Sequence, residues 1–132
     1  MSKRIFIIED DVNVLYGLQA KFSSDGFAVF TSGGTEKMEE LIQKIKSMEA
    51  DYIILDIILP KVDGFEVLAK IKSDDNLAKL PVFVFTSLSD NDTKKKCETL
   101  GAAHVFVKNE LMLDAFVEKV KKIISNREKV KL

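Results

Sequence analysis

A chain of 132 residues is long enough for one domain with a substantial core, and it needs no disulfide or structural metal to hold that core together. With 46% apolar and 31% charged residues it is a globular composition and not a disordered one, and a net charge of −1 gives no whole-chain attraction for nucleic acid. A single cysteine, Cys97, excludes an intrachain disulfide and suits a reducing compartment.

After Met1, Ser2, Lys3 and Arg4 comes an apolar run of four residues, Ile5 to Ile8. That run is too short for a signal peptide or a membrane span, so a cytoplasmic protein with no membrane partner is expected. It reads instead as a buried first strand. Val14, Leu15, Leu18 and Phe22 then form a helical stripe that ends before Gly26, a residue suited to a left-handed helix terminus. The pattern repeats four more times. A strand over 27–30 precedes the stripe of Met38, Leu41, Ile42, Ile45 and Met48. A strand over 52–55 precedes Phe65, Val67, Leu68 and Ile71. A strand over 82–85 precedes a helix over roughly 90–100 whose stripe, Cys97 and Leu100, is the weakest, so this helix is expected to be exposed and loosely held. Gly101 ends it, and a strand over 105–107 leads to a last helix carrying Leu113, Phe116, Val117, Val120, Ile123 and Ile124. Five strand–helix units with continuous apolar strands predict an α/β fold: a doubly wound, five-stranded parallel sheet with helices on both faces. One domain is expected over 1–132, with its core at about 3–124 and 125–132 as an extension of the last helix or a tail.

In such sheets ligands gather at the carboxyl ends of the strands. Strand one ends in Glu9, Asp10 and Asp11; strand three in Asp56; strand four in Thr86 and Ser87; strand five in Lys108. If strands one and three are neighbours, several carboxylates converge and repel one another unless a cation intervenes. Few hard oxygen ligands with room for water and phosphate suit Mg²⁺, with Mn²⁺ as the alternative. Lys108 and the Thr86 hydroxyl are suited to phosphoryl oxygens, and an aspartate can form an acyl phosphate.

These residues carry a resemblance. Glu9-Asp10, the segment from Asp56 through Pro60 to Asp63-Gly64, Thr86-Ser87, and Lys108 before the last helix are together similar to the response-regulator receiver domains. The resemblance runs from Lys3 to about Ile124 and implies a flavodoxin-like strand order of 2-1-3-4-5. It implies Asp56 as phosphoacceptor. It implies Asp10, Asp56 and the Ile58 carbonyl as metal ligands, and Glu9 acting through a metal-bound water. Thr86, Ser87 and Lys108 would meet the phosphoryl group. A sensor histidine kinase or phosphotransfer protein would be the donor, a downstream protein would read the switched surface, and no turnover enzyme is implied.

Three positions depart from the family's usual form. Asn109 follows Lys108 where the family commonly has a cis proline; a cis bond here would cost about 2.5–4 kcal/mol, and Asn109 is also a suitable N-cap for the last helix. Val105 stands where a switching aromatic ring is usual, with Phe106 next to it, so the output surface around these two is expected to rearrange less. Ile58 and Leu88 flank the phosphoryl position and cannot orient water, which predicts slow hydrolysis.

Plainer readings stand beside these. Asp11 fits a helix N-terminus or N-cap; Thr86, Ser87, Ser89 or Asp90 could cap the fourth helix; Asp63-Gly64 supplies turn chemistry; Pro60 fits a rigid loop. His104 reads as structural, Cys97 as a small packed hydrophobe, and the lysines at 94–96 and 119–131 as solvated faces, the first run also able to meet an acidic partner. A Mg²⁺-dependent aspartyl phosphatase would carry its nucleophile after strand one, and a flavin protein would want neutral residues there. A receiver that binds partners without phosphorylation is the third alternative.

Overall fold

The computed structural model describes residues 2–130, so Met1, Lys131 and Leu132 and any expectation resting on them lie outside the described residues. Five strands and five helices alternate: β1 (Arg4–Ile8), α1 (Val12–Ser24), β2 (Ala28–Ser32), α2 (Met38–Ser47), β3 (Tyr52–Leu55), α3 (Gly64–Ser73), β4 (Val82–Thr86), α4 (Asn91–Thr99), β5 (His104–Val107) and α5 (Leu113–Val130), with one 3₁₀ turn at Lys108–Glu110. All strand pairs are parallel, in the order β2-β1-β3-β4-β5. This is the doubly wound, flavodoxin-like arrangement.

Side-chain alternation along the strands builds two cores. Phe6, Ile8, Ile53, Leu55, Val82 and Val84 face one side, where Leu41, Ile45, Val67, Leu68, Ile71 and Cys97 of α2, α3 and α4 cover them. Ile5, Ile7, Tyr52, Ile54, Phe83 and Phe85 face the other, against Leu18 and Phe22 of α1 and Phe116, Val117, Val120 and Ile124 of α5. Each such side chain contributes about 1.5–3 kcal/mol by leaving water. The apolar runs lack polar alternation because both faces are covered.

Several expectations shift by a residue or more. β2 runs on through Thr31 and Ser32 because these continue the ladder opposite Ile7 and Ile8. β5 begins at His104, which is exposed and stacks on Phe83 and Phe106. Gly26 and Gly101 do end α1 and α4, at φ +93° and +104°. α4 is exposed apart from Thr93 and Cys97, and its cap is Asp90, whose carboxylate accepts the Thr93 amide (2.9 Å) and hydroxyl (2.7 Å). Thr86 is therefore free of that structural duty.

Asn109 is not the cap of α5. It lies inside the 3₁₀ turn, four residues before Leu113, and the Lys108–Asn109 bond is trans like every other described peptide bond. A 3₁₀ turn closes i→i+3 bonds and so takes up the chain that would otherwise run straight from strand to helix. Beyond residue 124, α5 continues and is tied back to the amino-terminal ends of the strands. Glu128 pairs with Lys3 (3.0 Å) and accepts the buried Tyr52 hydroxyl.

Candidate phosphoryl and metal pocket

The strand order places β1 between β2 and β3, so the chain leaving β1 and the chain leaving β3 emerge side by side. The register Ile8↔Leu55 puts Glu9 beside Asp56, and the Asp56 amide donates to the Ile8 carbonyl (3.0 Å). Carboxylate oxygens of Glu9, Asp10 and Asp56 all lie within 4.8 Å of one another. Glu9 is 2% and Asp56 5% exposed, whereas Asp10 is open to solvent.

Lys108 reaches in from the end of β5, two strands away from β3. Its Nζ donates to Asp56 Oδ2 (2.8 Å) and to Glu9 Oε1 (2.5 Å). The remaining oxygens of both acids are also engaged. Asp56 Oδ1 accepts the Ile58 amide (3.1 Å), and Glu9 Oε2 accepts the Asp11 amide (3.2 Å). Burial pushes the Glu9 carboxyl up to about 7, with the Asp56 charge adding to that push and the Lys108 bond opposing it. For Lys108, burial works to lower its pKa, but the bonds to Asp56 and Glu9 outweigh it and hold the ammonium above its ordinary value.

Two buried carboxylates thus share one ammonium, with the exposed Asp10 carboxylate beside them. An all-oxygen set of this kind, with one acid facing solvent, fits a small hard divalent cation. Among the described residues Lys108 is the only positive partner of the two buried acids, and breaking a buried ion pair costs about 3–5 kcal/mol. The side chain of Lys108 is 18% exposed, so the lower end applies. Lys108→Met is expected to lower unfolding stability by about 3 kcal/mol in EDTA, with Mg²⁺ restoring a good part of it. Urea unfolding with and without Mg²⁺ checks this, and equal loss under both conditions counts against cation sharing.

The other expected site residues fall as follows. Thr86, fully buried at the end of β4, pairs with Val107 next to Lys108; its Oγ1 accepts the Leu88 amide (3.4 Å) and its own proton remains to donate. Ser87 follows it and is exposed. Ile58 is placed by its amide bond to Asp56 and by a bridge to Asp63, while its side chain is 47% exposed. Val105 and Phe106 face opposite sides of the sheet. Val105 packs toward the α3 and α4 core, and Phe106 packs edge-on against Phe116 of α5 at 5.2 Å. The aromatic ring thus lies on the side away from α4.

Sequence reasoning missed the part played by Gly64. Its amide donates to the Ile57 carbonyl (3.1 Å), and a Cβ there would lie 2.3 Å from that oxygen. Asp63 caps α3 by accepting the Phe65 amide (2.8 Å), so the pair Asp63-Gly64 folds the loop back on itself beside Asp56 instead of making an isolated turn.

The family model for the response regulator receiver domain matches residues 5–121. The transcriptional regulatory protein CrdR of Helicobacter pylori is 30% identical over 128 residues, which is 96% of this chain and 57% of that protein. The chain spans about half the length of most of the curated relatives it matches. Among solved structures, the CheY-like receiver domain protein of Methanospirillum hungatei superposes with a TM-score of 0.83 at 22% identity, covering 98% of each chain. The phosphorylated cyanobacterial phytochrome response regulator RcpA gives a TM-score of 0.77 at 28% identity over 93% of this chain and 91% of that one. The strand order, the acidic pocket with its single lysine, and a family match over nearly the whole length agree: the chain belongs to the response regulator receiver domains of two-component signalling.

Proposed function

We propose that the chain is a phosphorylation switch. A phosphoryl group passes from a phosphohistidine of a sensor histidine kinase, or of a phosphotransfer protein, to Asp56, and the change is read by a downstream protein. The observation that carries this reading is the contact of Lys108 with Asp56 at 2.8 Å inside a pocket where Glu9 and Asp10 also converge.

The chain's own groups divide the work. The Asp56 carboxylate attacks phosphorus, an O–P bond forms, and the P–N bond of the donor breaks with its electron pair left on the imidazole nitrogen. Lys108 has three N–H groups, two of them engaged by Glu9 and Asp56, so it can turn to a phosphoryl oxygen without leaving the pocket. The Thr86 hydroxyl, and Ser87 after it, would donate to the same group. Asp10, Asp56 and the Ile58 carbonyl would hold Mg²⁺ directly, and Glu9, with both oxygens held by protein N–H groups, would act on it through water. When bound, Mg²⁺ supplies positive charge that offsets the carboxylates and the transferring oxygens.

The rim supports a protein partner. Val12 and Tyr16 at the start of α1, Ile58 after β3 and Met112 before α5 are large apolar residues left exposed at this end of the sheet. Val105 and Phe106, on α4 and α5 faces respectively, remain the candidate output positions. The switch acts on its own Asp56 and turns over no external substrate. Among the described residues no helix is long and apolar enough to cross a membrane. The single cysteine, Cys97, which can form no intrachain disulfide, supports a cytoplasmic setting.

Intact-mass measurement after incubation with acetyl phosphate tests the proposal. One added phosphoryl group is expected with Mg²⁺ and none with EDTA; an unchanged mass under both conditions overturns it. The lifetime of the product is a separate expectation. Neither Ile58 nor Leu88 can hydrogen-bond an attacking water, so decay is expected over many minutes or longer. Leu88→Glu is expected to speed it about tenfold, below the 10²–10⁴-fold of a full general base. A wild-type half-life of seconds would contradict this.

A further inference from the structure

The Mg²⁺ reading leaves one acidic residue of the β1 end without a role, and the following rests on that reading. We propose that Asp11 is a positioning residue for the metal pocket: by capping α1 it holds its own backbone N–H on the Glu9 carboxylate and fixes the turn that presents Asp10.

Asp11 does not turn its carboxylate toward the other acids. Oδ1 accepts the amides of Asn13 (2.9 Å) and Val14 (3.2 Å), and the Asp11 carbonyl accepts the Leu15 amide (2.9 Å). Two of the first-turn N–H groups that α1 would otherwise leave unpaired are satisfied this way. The same residue's amide points back and donates to Glu9 Oε2 (3.2 Å). Glu9 is then held at three points: at Oε2 by Asp11, at Oε1 by Lys108 (2.5 Å), and through its own amide by the Ser32 carbonyl (3.0 Å). Asp10 sits between two fixed neighbours and is itself exposed, so its direction is set by the turn and not by packing. The cap at the surface and the acid in the interior are therefore one mechanical unit, three residues long.

A cap of this type is replaceable in a way that a charge is not. Serine at 11 keeps an oxygen acceptor for the helix amides and removes the negative charge; alanine removes both. At about 0.15 M salt, where exposed charges are screened, Asp11→Ala is expected to weaken Mg²⁺ binding about fivefold and Asp11→Ser less than twofold. Binding is read from the amide resonances of Glu9, Asp10 and Asp56 during a titration with MgCl₂. A readout that needs no metal accompanies it. In EDTA, the Asp11, Asn13 and Val14 amides of Asp11→Ala are expected to lose hydrogen-exchange protection, while those of Asp11→Ser keep it. Equal weakening by both variants would assign Asp11 a purely electrostatic part and overturn the proposal. An alanine variant that loses amide protection but binds Mg²⁺ as tightly as wild type would show a helix cap with no bearing on the pocket, and overturns it too. A wild-type protein whose pocket amides do not move with MgCl₂ sinks the metal reading itself, a result distinct from either.

Discussion

Asp56→Asn is expected to take up no phosphoryl group from acetyl phosphate and Mg²⁺ under conditions that label the wild type. The amide has nearly the shape of the carboxylate but no charge, and a neutral amide oxygen does not form a stable acyl phosphate. The rate is expected to fall by more than about 10²-fold, which corresponds to about 2.7 kcal/mol or more in the barrier. The folded state should survive. Asn keeps one oxygen, which can still accept the Ile58 amide as Asp56 Oδ1 does (3.1 Å); its NH₂ takes the place of Oδ2 and gives up the bond from the Lys108 ammonium (2.8 Å). Lys108 keeps Glu9 at 2.5 Å, so no buried charge is left alone. Thermal unfolding close to the wild type, together with an unchanged mass, is the expected pair of results. If the variant gained the phosphoryl group as wild type does, the acceptor would be another residue, and the roles given to Lys108 and Thr86 would go with it.

The second large effect concerns a residue with no functional group. Gly64→Ala is expected to destabilise the protein by about 3 kcal/mol, or about 10 °C in melting temperature for a domain of this size. The added Cβ would lie 2.3, 2.4 and 2.6 Å from the carbonyl oxygen, Cα and carbonyl carbon of Ile57. Those are backbone atoms, and they cannot rotate away as a side chain does. The usual gain of alanine over glycine in a helix is at most about 1 kcal/mol, and smaller at the first position of α3, so the clash wins. Whatever relief occurs must move the 57–64 loop, which carries Ile58 and adjoins Asp56. Mg²⁺ binding is therefore expected to weaken along with stability. Urea unfolding and a Mg²⁺ titration on the same variant check both; a variant as stable as wild type would show that the loop has slack that its backbone bonds deny.

The contrast between these two positions shows how far the amino-acid order alone carries the reading. Continuous runs such as Ile5 to Ile8 and Val82 to Phe85 announce strands covered on both faces, because a strand with one wet face would alternate. Stripes at helical spacing announce the covering helices. The acids and the lysine stand at the ends of those runs, so the chemistry of the pocket was readable as a list of charged residues at strand ends. The Asn109 expectation failed for a local reason: a good capping residue is only a cap if the helix starts beside it, and the 3₁₀ turn moved that start to Leu113.

Residue order therefore sufficed for the number and type of elements, the two-faced burial of the sheet, and the standing of Glu9, Asp10, Asp56, Thr86 and Lys108 at the carboxyl ends of the strands. The fold in three dimensions was needed for everything that depends on chains meeting from far apart. The β1–β3 adjacency brings Glu9 to Asp56, and Lys108 bonds a carboxylate 52 residues earlier. Phe106 turns toward Phe116 and away from α4, and Gly64 lies against the Ile57 backbone. The physical reason is one of range. Periodicity and composition record what each residue prefers within a turn or two of its own chain, whereas strand order, register and close backbone approach are settled by which surfaces exclude water together.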